Sequence, residues 1–358
     1  MNILFIHQNF PGQYKNLAPA LAARGDNCVA LTLRVKEPTN WKGVRVLPYQ
    51  ITRKPGDGVH PWLVDLNTKV HRAEACMLAA LKLKDAGFSP DVIVAHPGWV
   101  ESLFLRDVWP EARIGLYYEL FYQADAADSG FDPEFSRQDD ALAAQRIRLK
   151  NVNNQLHLPL GDMGICPTEF QAASFPKAFR DRISVIHDGI DTKTAKPNPD
   201  ASFELPDGGR VTRSDQVITF VNRNLEPYRG FHIFMRALPQ ILRDSPKARV
   251  LIVGGEERSY GPAAPDGRSW KDIFRRRSAP TDPRLGLGSR LFPWKTALRQ
   301  VLVVAAGVHG SCLSDLSLCS QLVLARGHVL RSGYCGKRHG ARARSHRSWA
   351  KRANGQFL

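Results

Sequence analysis

The stretch FVNRNLEPYRGF places two cations, Arg223 and Arg229, on either side of a short polar loop. Arg223 closes an apolar run, and Arg229 precedes Gly230, which opens a helix-patterned segment. Two guanidinium groups beside a helix N-terminus suit a diphosphate, because they add charge to oriented amide donors. A solvated arginine pair at a loop explains the spacing as well.

Three other loops carry residues that could do chemistry. In HQNFPGQ, Gly12 precedes a helix whose first amides could face an anion, and a tight turn reads equally well. In VAHPGW, His96 ends an apolar run, where an imidazole can hydrogen-bond a hydroxyl or act as a base. A lone histidine is more often a structural one. In IHDGID, Asp188 and Gly189 offer a carboxylate at a turn, or simply a turn.

The elements that would position these loops alternate. NILFIHQ, CVALTL, RVLPYQI, DVIVAHPG, RIGLYYEL, MGICPT and RISVIHDGID read as short strands buried in a parallel sheet. Helical patterns separate them, over YKNLAPALAARG, residues 68–87, WVESLFLRDVW, 136–156 and TEFQAASF. This predicts a doubly wound α/β domain over 1–190. A Pro-rich polar connection, 191–214, serves as a linker. The pattern restarts over 215–274 with QVITFVNR, FHIFMRALPQILRDS and ARVLIVGG. In such sheets ligands bind beyond the carboxyl ends of the strands, which is where all four loops lie.

Composition narrows the classes. The chain has 358 residues, a formal charge of +16 and a pI near 9.8. From Arg275 onward there are 16 Lys/Arg against 2 Asp/Glu, and before it 34 against 32. The basicity therefore belongs to the last quarter of the chain. Six cysteines form no C-x-x-C pair, so neither a zinc site nor a disulfide framework is indicated. The G-x-G-x-x-G dinucleotide fingerprint is absent, which disfavours a nicotinamide-dependent oxidoreductase. No apolar run reaches about 18 residues and MNILFIHQNF lacks the marks of a signal peptide, so a cytoplasmic setting is expected.

MNILFIHQNFPGQYKNLAPALAARG, PTEFQAASFP, ISVIHDGIDT and FVNRNLEPYRGFHIFMRALPQI together resemble the family 4 retaining glycosyltransferases of GT-B fold, from Met1 to about Phe274. The resemblance implies two Rossmann-like domains and a nucleotide-diphosphate sugar donor. It implies that Arg223, Arg229 and Gly230 hold the donor diphosphate, with Asp188 and Gly189 also at the nucleotide-sugar site. Gly12 would let the backbone approach the donor phosphates or the acceptor, and His96 would lie near the transferred sugar as the catalytic-side residue. Arg229 stands where many relatives have Lys, and Asn222 where many have Gly. No metal and no further cofactor are expected, because cations offset the charge on the departing diphosphate. The acceptor would be a glycan or lipid-linked glycan, with peripheral contact at an inner membrane face and no specific nucleic acid.

The resemblance stops after Phe274. SQLVLARGHVL holds no acid, whereas the family has there a segment whose glutamate grips the donor ribose. Back-translation offers a reason. DLSLCSQLVLARGHV, Asp315 to Val329, can be encoded so that a shift of one base gives TYPFVLSWSLLEAM, which resembles the ribose segment. The same shift serves FPWKTALRQVLVVAAGVHGSCLS and ARSHRSWAKR in family order. The sequence hypothesis is thus a frameshift between Phe274 and Phe292, with 275–358 an out-of-frame, disordered basic tail, the second domain incomplete and activity impaired. A nucleic-acid-binding tail is the alternative that its charge favours, and few aromatics there support it. A non-catalytic sugar-nucleotide-binding protein is the nearest other reading. Resequencing source DNA across the codons for Phe274 to Phe292 should reveal one missing or extra base. An unchanged reading there would overturn the frameshift.

Overall fold

The computed structural model describes residues 1–53, 58–124, 132, 134–135, 142–193, 196–204, 209–257, 259 and 261–278. The chain divides into two compact units, Met1–Gly189 and Ile190–Leu358.

The first unit is built on an eight-stranded sheet. The strands are β1 (Asn2–Ile6), β2 (Asn27–Thr32), β3 (Thr39–Trp41), β4 (Val44–Pro48), β5 (Val92–Ala95), β6 (Arg113–Tyr117), β7 (Met163–Cys166) and β8 (Ile183–Val185). Their order is β3-β4-β2-β1-β5-β6-β7-β8. Every pairing is parallel except β3 with β4. The sheet winds outward in both directions from the β1–β5 pair, so the switch point of the topology lies there. β3 escapes the periodicity because it has only three residues. Its hairpin turns through Lys42 and Gly43, both with positive φ (49° and 85°), as a two-residue turn of the I′ kind demands.

Alternate residues of β1 feed two cores. Leu4 and Ile6 join Val29, Leu31, Ile93, Leu116 and the buried side of α2 (Val64–Asp85) on one face. Ile3 and Phe5 join Tyr14, Ala30 and Ala18 of α1 (Leu17–Ala23) on the other. Burial on both faces explains the near-continuous apolar strands.

Two expected helices differ. Over 99–109 the chain makes a tight turn at Pro97–Trp99, holds Val100 at φ 71°, and becomes helical only in α3 (Leu105–Val108). The left-handed Val100 breaks the helix, and Glu101 and Ser102 turn into the interior. The described part of 136–156 forms two helices, α4 (Ala143–Lys150) and α5 (Val152–His157), interrupted at Asn151. The Asn151 side chain donates to Tyr122 O (2.7 Å) and accepts from Tyr122 N (2.9 Å).

That bond is one of a set. Beyond β6 the chain leaves the sheet, and side chains take over its backbone partners. Gln171 of α6 (Glu169–Ala173) donates to Glu119 O at 2.9 Å, Asn154 to Leu120 O at 3.0 Å, and Ser174 Oγ accepts from Phe121 N at 3.0 Å. A last helix of the unit, α7 (Lys177–Arg180), leads into β8.

The second unit opens with a short antiparallel hairpin, β9 (Ser202–Glu204) with β10 (Arg210–Thr212), inside the segment read as a linker. β11 (Val217–Asn224) and β12 (Arg249–Gly255) then pair in parallel, joined by α8 (Phe231–Asp244). Phe220 of β11 meets Phe231 and Phe234 of α8 at ring separations of 5.5 and 4.7 Å. Phe274 of α9 (Trp270–Ser278) packs on Phe231 at 6.1 Å. The expected disordered tail lies, from residue 279, outside the described residues.

Asn151→Ala strips two partners from the Tyr122 backbone, each worth about 1–3 kcal/mol if left unsatisfied. A lowered urea midpoint for the first unit is expected, and an unchanged one would show that water replaces the amide.

Candidate functional site in the first unit and the β11–α8 loop of the second

Two histidines flank the switch point. His7 follows β1, His96 follows β5, and their rings meet edge to face at 5.8 Å. Each accepts, through Nδ1, the amide two residues on: Asn9 N to His7 and Gly98 N to His96, both 3.0 Å. An accepting Nδ1 leaves the hydrogen of a neutral imidazole on Nε2. His7 Nε2 therefore donates to Gln13 Oε1 (2.8 Å) and His96 Nε2 to Glu119 Oε2 (3.2 Å). Burial, with the neighbouring His96, holds the His7 imidazole down to about 4, so it stays neutral at physiological pH.

Two glycines make room for these rings. A Cβ on Gly12 would lie 2.5 Å from His7 Nε2, and Gly12 has φ 46°. A Cβ on Gly98 would lie 2.6 Å from His96 Cε1. Gly12 is thus shaped by His7 beneath it.

Around the pair stand Tyr117 and Asp188. The Tyr117 ring is 5.6 Å from that of His96, and its hydroxyl donates to both Asp188 oxygens, at 3.0 and 3.1 Å. Burial raises the Asp188 carboxyl above its ordinary value and, with Asp188, pushes the Tyr117 phenol far up, so Tyr117 remains a donor. Gly189 follows with φ 75° and open space around it. Burial also pushes the Glu119 carboxyl up, but the hydrogen bond from His96 and the nearness of the His96 and His7 rings outweigh it and hold Glu119 below the ordinary carboxylate value.

Glu101 lies deeper, 1% exposed, and accepts from Tyr49 Oη at 2.8 Å. Burial pushes its carboxyl up to about 7, against the opposing pull of its own backbone, Tyr49, Arg72 and His96.

In the second unit Arg223 is exposed at the end of β11, whereas Arg229 is 1% exposed beside Glu226 Oε1 at 3.6 Å. Gly230, at φ 73°, caps α8. The other Glu226 oxygen accepts from Ser259 N (3.1 Å), and Asn224 donates to Ser259 Oγ (2.6 Å), which ties this loop to the one after β12.

The structure thus gathers Gly12, His96 and Asp188 into one cluster of the first unit, with Gly189 following Asp188 at its edge, and keeps Arg223, Arg229 and Gly230 on one loop of the second. Sequence reasoning passed over His7, Gln13, Tyr117, Glu119 and Glu226. A lone polar residue at the carboxyl end of an apolar strand was the available signal for His7 and Glu119.

Parallel sheet, switch-point cluster and a second β-α-β unit define an α/β fold of GT-B kind. The family model described as Glycosyl transferase family 4 group matches residues 24–195. That match covers most of the first unit, which ends at Gly189. A D-inositol 3-phosphate glycosyltransferase of Mycobacterium sp. (strain JLS) is 28% identical over 237 residues, 62% of this chain and 48% of that protein. Its namesake in Segniliparus rotundus is 23% identical over 265 residues, 71% and 54% of the two chains. The chain spans about half the length of these relatives. Among solved structures, the E. coli trehalose-6-phosphate protein bound with UDP-2-fluoro glucose shares the fold at TM-score 0.55 and 13% identity, covering 93% of this chain and 82% of that one. The catalytic domain of starch synthase IV from Arabidopsis thaliana, bound to ADP and acarbose, does so at 0.52 and 13%, covering 91% and 81%. No helix among the described residues is long and apolar enough to cross a membrane.

Glu101 gives a pH test. Its folded value near 7 exceeds the ordinary 4.5, so the native state binds more protons than the unfolded chain between those pH values. Its contribution to stability is neutral below 4.5 and becomes a penalty, about 3 kcal/mol, as pH rises to 7. Glu101→Gln should therefore be more stable than the parent at pH 8, with the gap closing toward pH 4.5. Denaturation midpoints that differ equally at both pH values would contradict this.

Proposed function

We propose that the chain is a nucleotide-sugar-dependent glycosyltransferase that moves a sugar, with retention, to a hydroxyl of a glycan or lipid-linked acceptor. The family 4 match over residues 24–195 carries this reading. The strand-end cluster at the switch point supports it, because a hydroxyl-rich ligand needs such directional donors and acceptors.

The β11–α8 loop is the proposed diphosphate site. Exposed Arg223 meets the anion directly, while buried Arg229, beside Glu226, holds the loop and its positive field. As the sugar–phosphate bond breaks, charge accumulates on the departing diphosphate, and fixed cations stabilise it without a divalent ion. The departing phosphate takes the acceptor proton, so no side chain need act as a nucleophile. The relatives' names give a phosphorylated inositol as acceptor. Here the first-unit cluster presents Glu119 and Asp188, which suits a neutral hydroxyl compound. The frameshift belongs to the same proposal, since the restored frame would supply the ribose-gripping glutamate and this chain would be impaired without it. A cytoplasmic setting with peripheral membrane contact accompanies it.

Calorimetric titration of the full chain with UDP, GDP and ADP should show binding of one of them. Arg223→Ala should weaken it about 10-fold or more, the worth of a charge-assisted hydrogen bond. No binding of any nucleotide by the frame-restored protein would overturn the glycosyltransferase reading.

A further inference from the structure

The histidine pair at the switch point offers an incoming hydroxyl nothing to donate to. Gly98 N–H occupies His96 Nδ1 at 3.0 Å, and His96 Nε2 carries the hydrogen aimed at Glu119. His7 is committed in the same way, to Asn9 N and Gln13. His96 is also the less accessible partner, its side chain 4% exposed against 31% for Glu119.

Lone pairs are open on Glu119 instead. Its Oε2 takes the His96 hydrogen, and its Oε1 has no partner among the described residues. The group is rigidly aimed. Gln171 Nε2 holds its carbonyl at 2.9 Å, and Gln171 is fixed in turn by Thr168 Oγ1 at 2.7 Å. Beside it Asp188 is half-buried and already bound to Tyr117. His187 and Lys15 are the cations that act on Asp188.

A carboxylate is an acceptor only, and two carboxylates on one wall repel a phosphate or another carboxylate. The chemistry they favour is a ring with neighbouring hydroxyls, two of which can share one carboxylate.

We propose that Glu119, oriented by His96, is a specificity-determining residue that binds the hydroxyls of an uncharged sugar ring. This deepens the glycosyltransferase reading and rests on it only for calling that ring a substrate, since binding is measurable without turnover. The ring is either the acceptor's or the one carried by the donor, and both present the same hydroxyls.

The test uses saturation-transfer NMR on the full chain with methyl α-D-glucopyranoside and with glucose 6-phosphate. The glucoside should bind the parent, more tightly than the phosphate does. Glu119→Gln, which exchanges one acceptor for a donor and removes the charge, should weaken glucoside binding about tenfold and erase the preference over the phosphate. His96→Gln, which can still supply an N–H, should retain more affinity than His96→Leu. A glucoside that binds Glu119→Gln as tightly as the parent, with unchanged circular dichroism, would overturn the assignment. So would no glucoside binding by the parent, or equal binding of the phosphate. Adding UDP-glucose separates the two sources: displaced glucoside identifies the donor's ring, undisplaced glucoside the acceptor's, and each upholds Glu119. Failure of the frame-restored protein to bind any nucleotide would end the glycosyltransferase reading without touching this measurement.

Discussion

The first-unit site depends on one small hydrogen bond made twice, from a backbone amide to the Nδ1 of the histidine two residues before it. At His7 and His96 this bond closes the turn where the chain leaves a parallel strand. It also decides the tautomer, because an Nδ1 that accepts forces the hydrogen onto Nε2. The same bond recurs at His60, from Trp62 N at 3.2 Å, and at His187, from Gly189 N at 3.0 Å. Histidine serves here as asparagine or aspartate does in side-chain-closed turns, with the added consequence that its far nitrogen becomes a directed donor. Glu119 and Gln13 are placed where those donors point.

The constraint that makes such turns necessary is backbone accounting. A parallel sheet satisfies its own amides and carbonyls, but the chain beyond each carboxyl end has lost its neighbours while still packed among apolar side chains. After β6 five consecutive residues, 119–123, would be left in that position. Asn151, Asn154, Gln171 and Ser174 meet four of them, and the Gln123 side chain bonds Ser174 O at 2.9 Å. These polar side chains keep the Glu119 carboxylate still, so a structural requirement and a functional one are met by the same bonds. The Glu101 carboxyl shows the opposite balance. Tyr49 gives it one hydrogen bond, yet burial wins and raises its affinity for a proton.

The alternation of strands and helices and the position of the loops are legible in the sequence because apolar runs of four to seven residues are separated by helical patterns, whereas the strand order emerges only in the fold. NILFIHQ and DVIVAHPG each read as a buried strand of a parallel sheet, and the fold adds that the two, β1 and β5, are neighbours. The helix over 99–109 was not legible as a turn, since WVESLFLRDVW has helical spacing and only the left-handed Val100 betrays the break. His96 can be singled out from its strand end, but its partner lies 23 residues away, just beyond β6, and pairings of that kind follow from topology rather than from local pattern. Gly12 was read as clearance for a ligand. Its clearance is first for His7, a contact invisible until the loop is folded over β1.

Arg223 and Arg229 show why spacing alone assigns too little. Arg223 lies at the end of β11 and Arg229 in the loop that follows, and a diphosphate site needs cations that are fixed and cations that are open. Burying a guanidinium is costly unless a counter-charge is close, and Glu226, itself 1% exposed, stands 3.6 Å from Arg229. Glu226 also holds Ser259 N, so moving that carboxylate would disturb the loop beyond β12 as well. Arg229 is therefore built into the loop, while Arg223, exposed at the strand end, keeps the freedom to follow an anion. Mutating either would remove one positive charge. Only the loss at Arg229 would also strand a buried carboxylate, and that difference separates a residue that touches phosphate from one that shapes the place where phosphate sits.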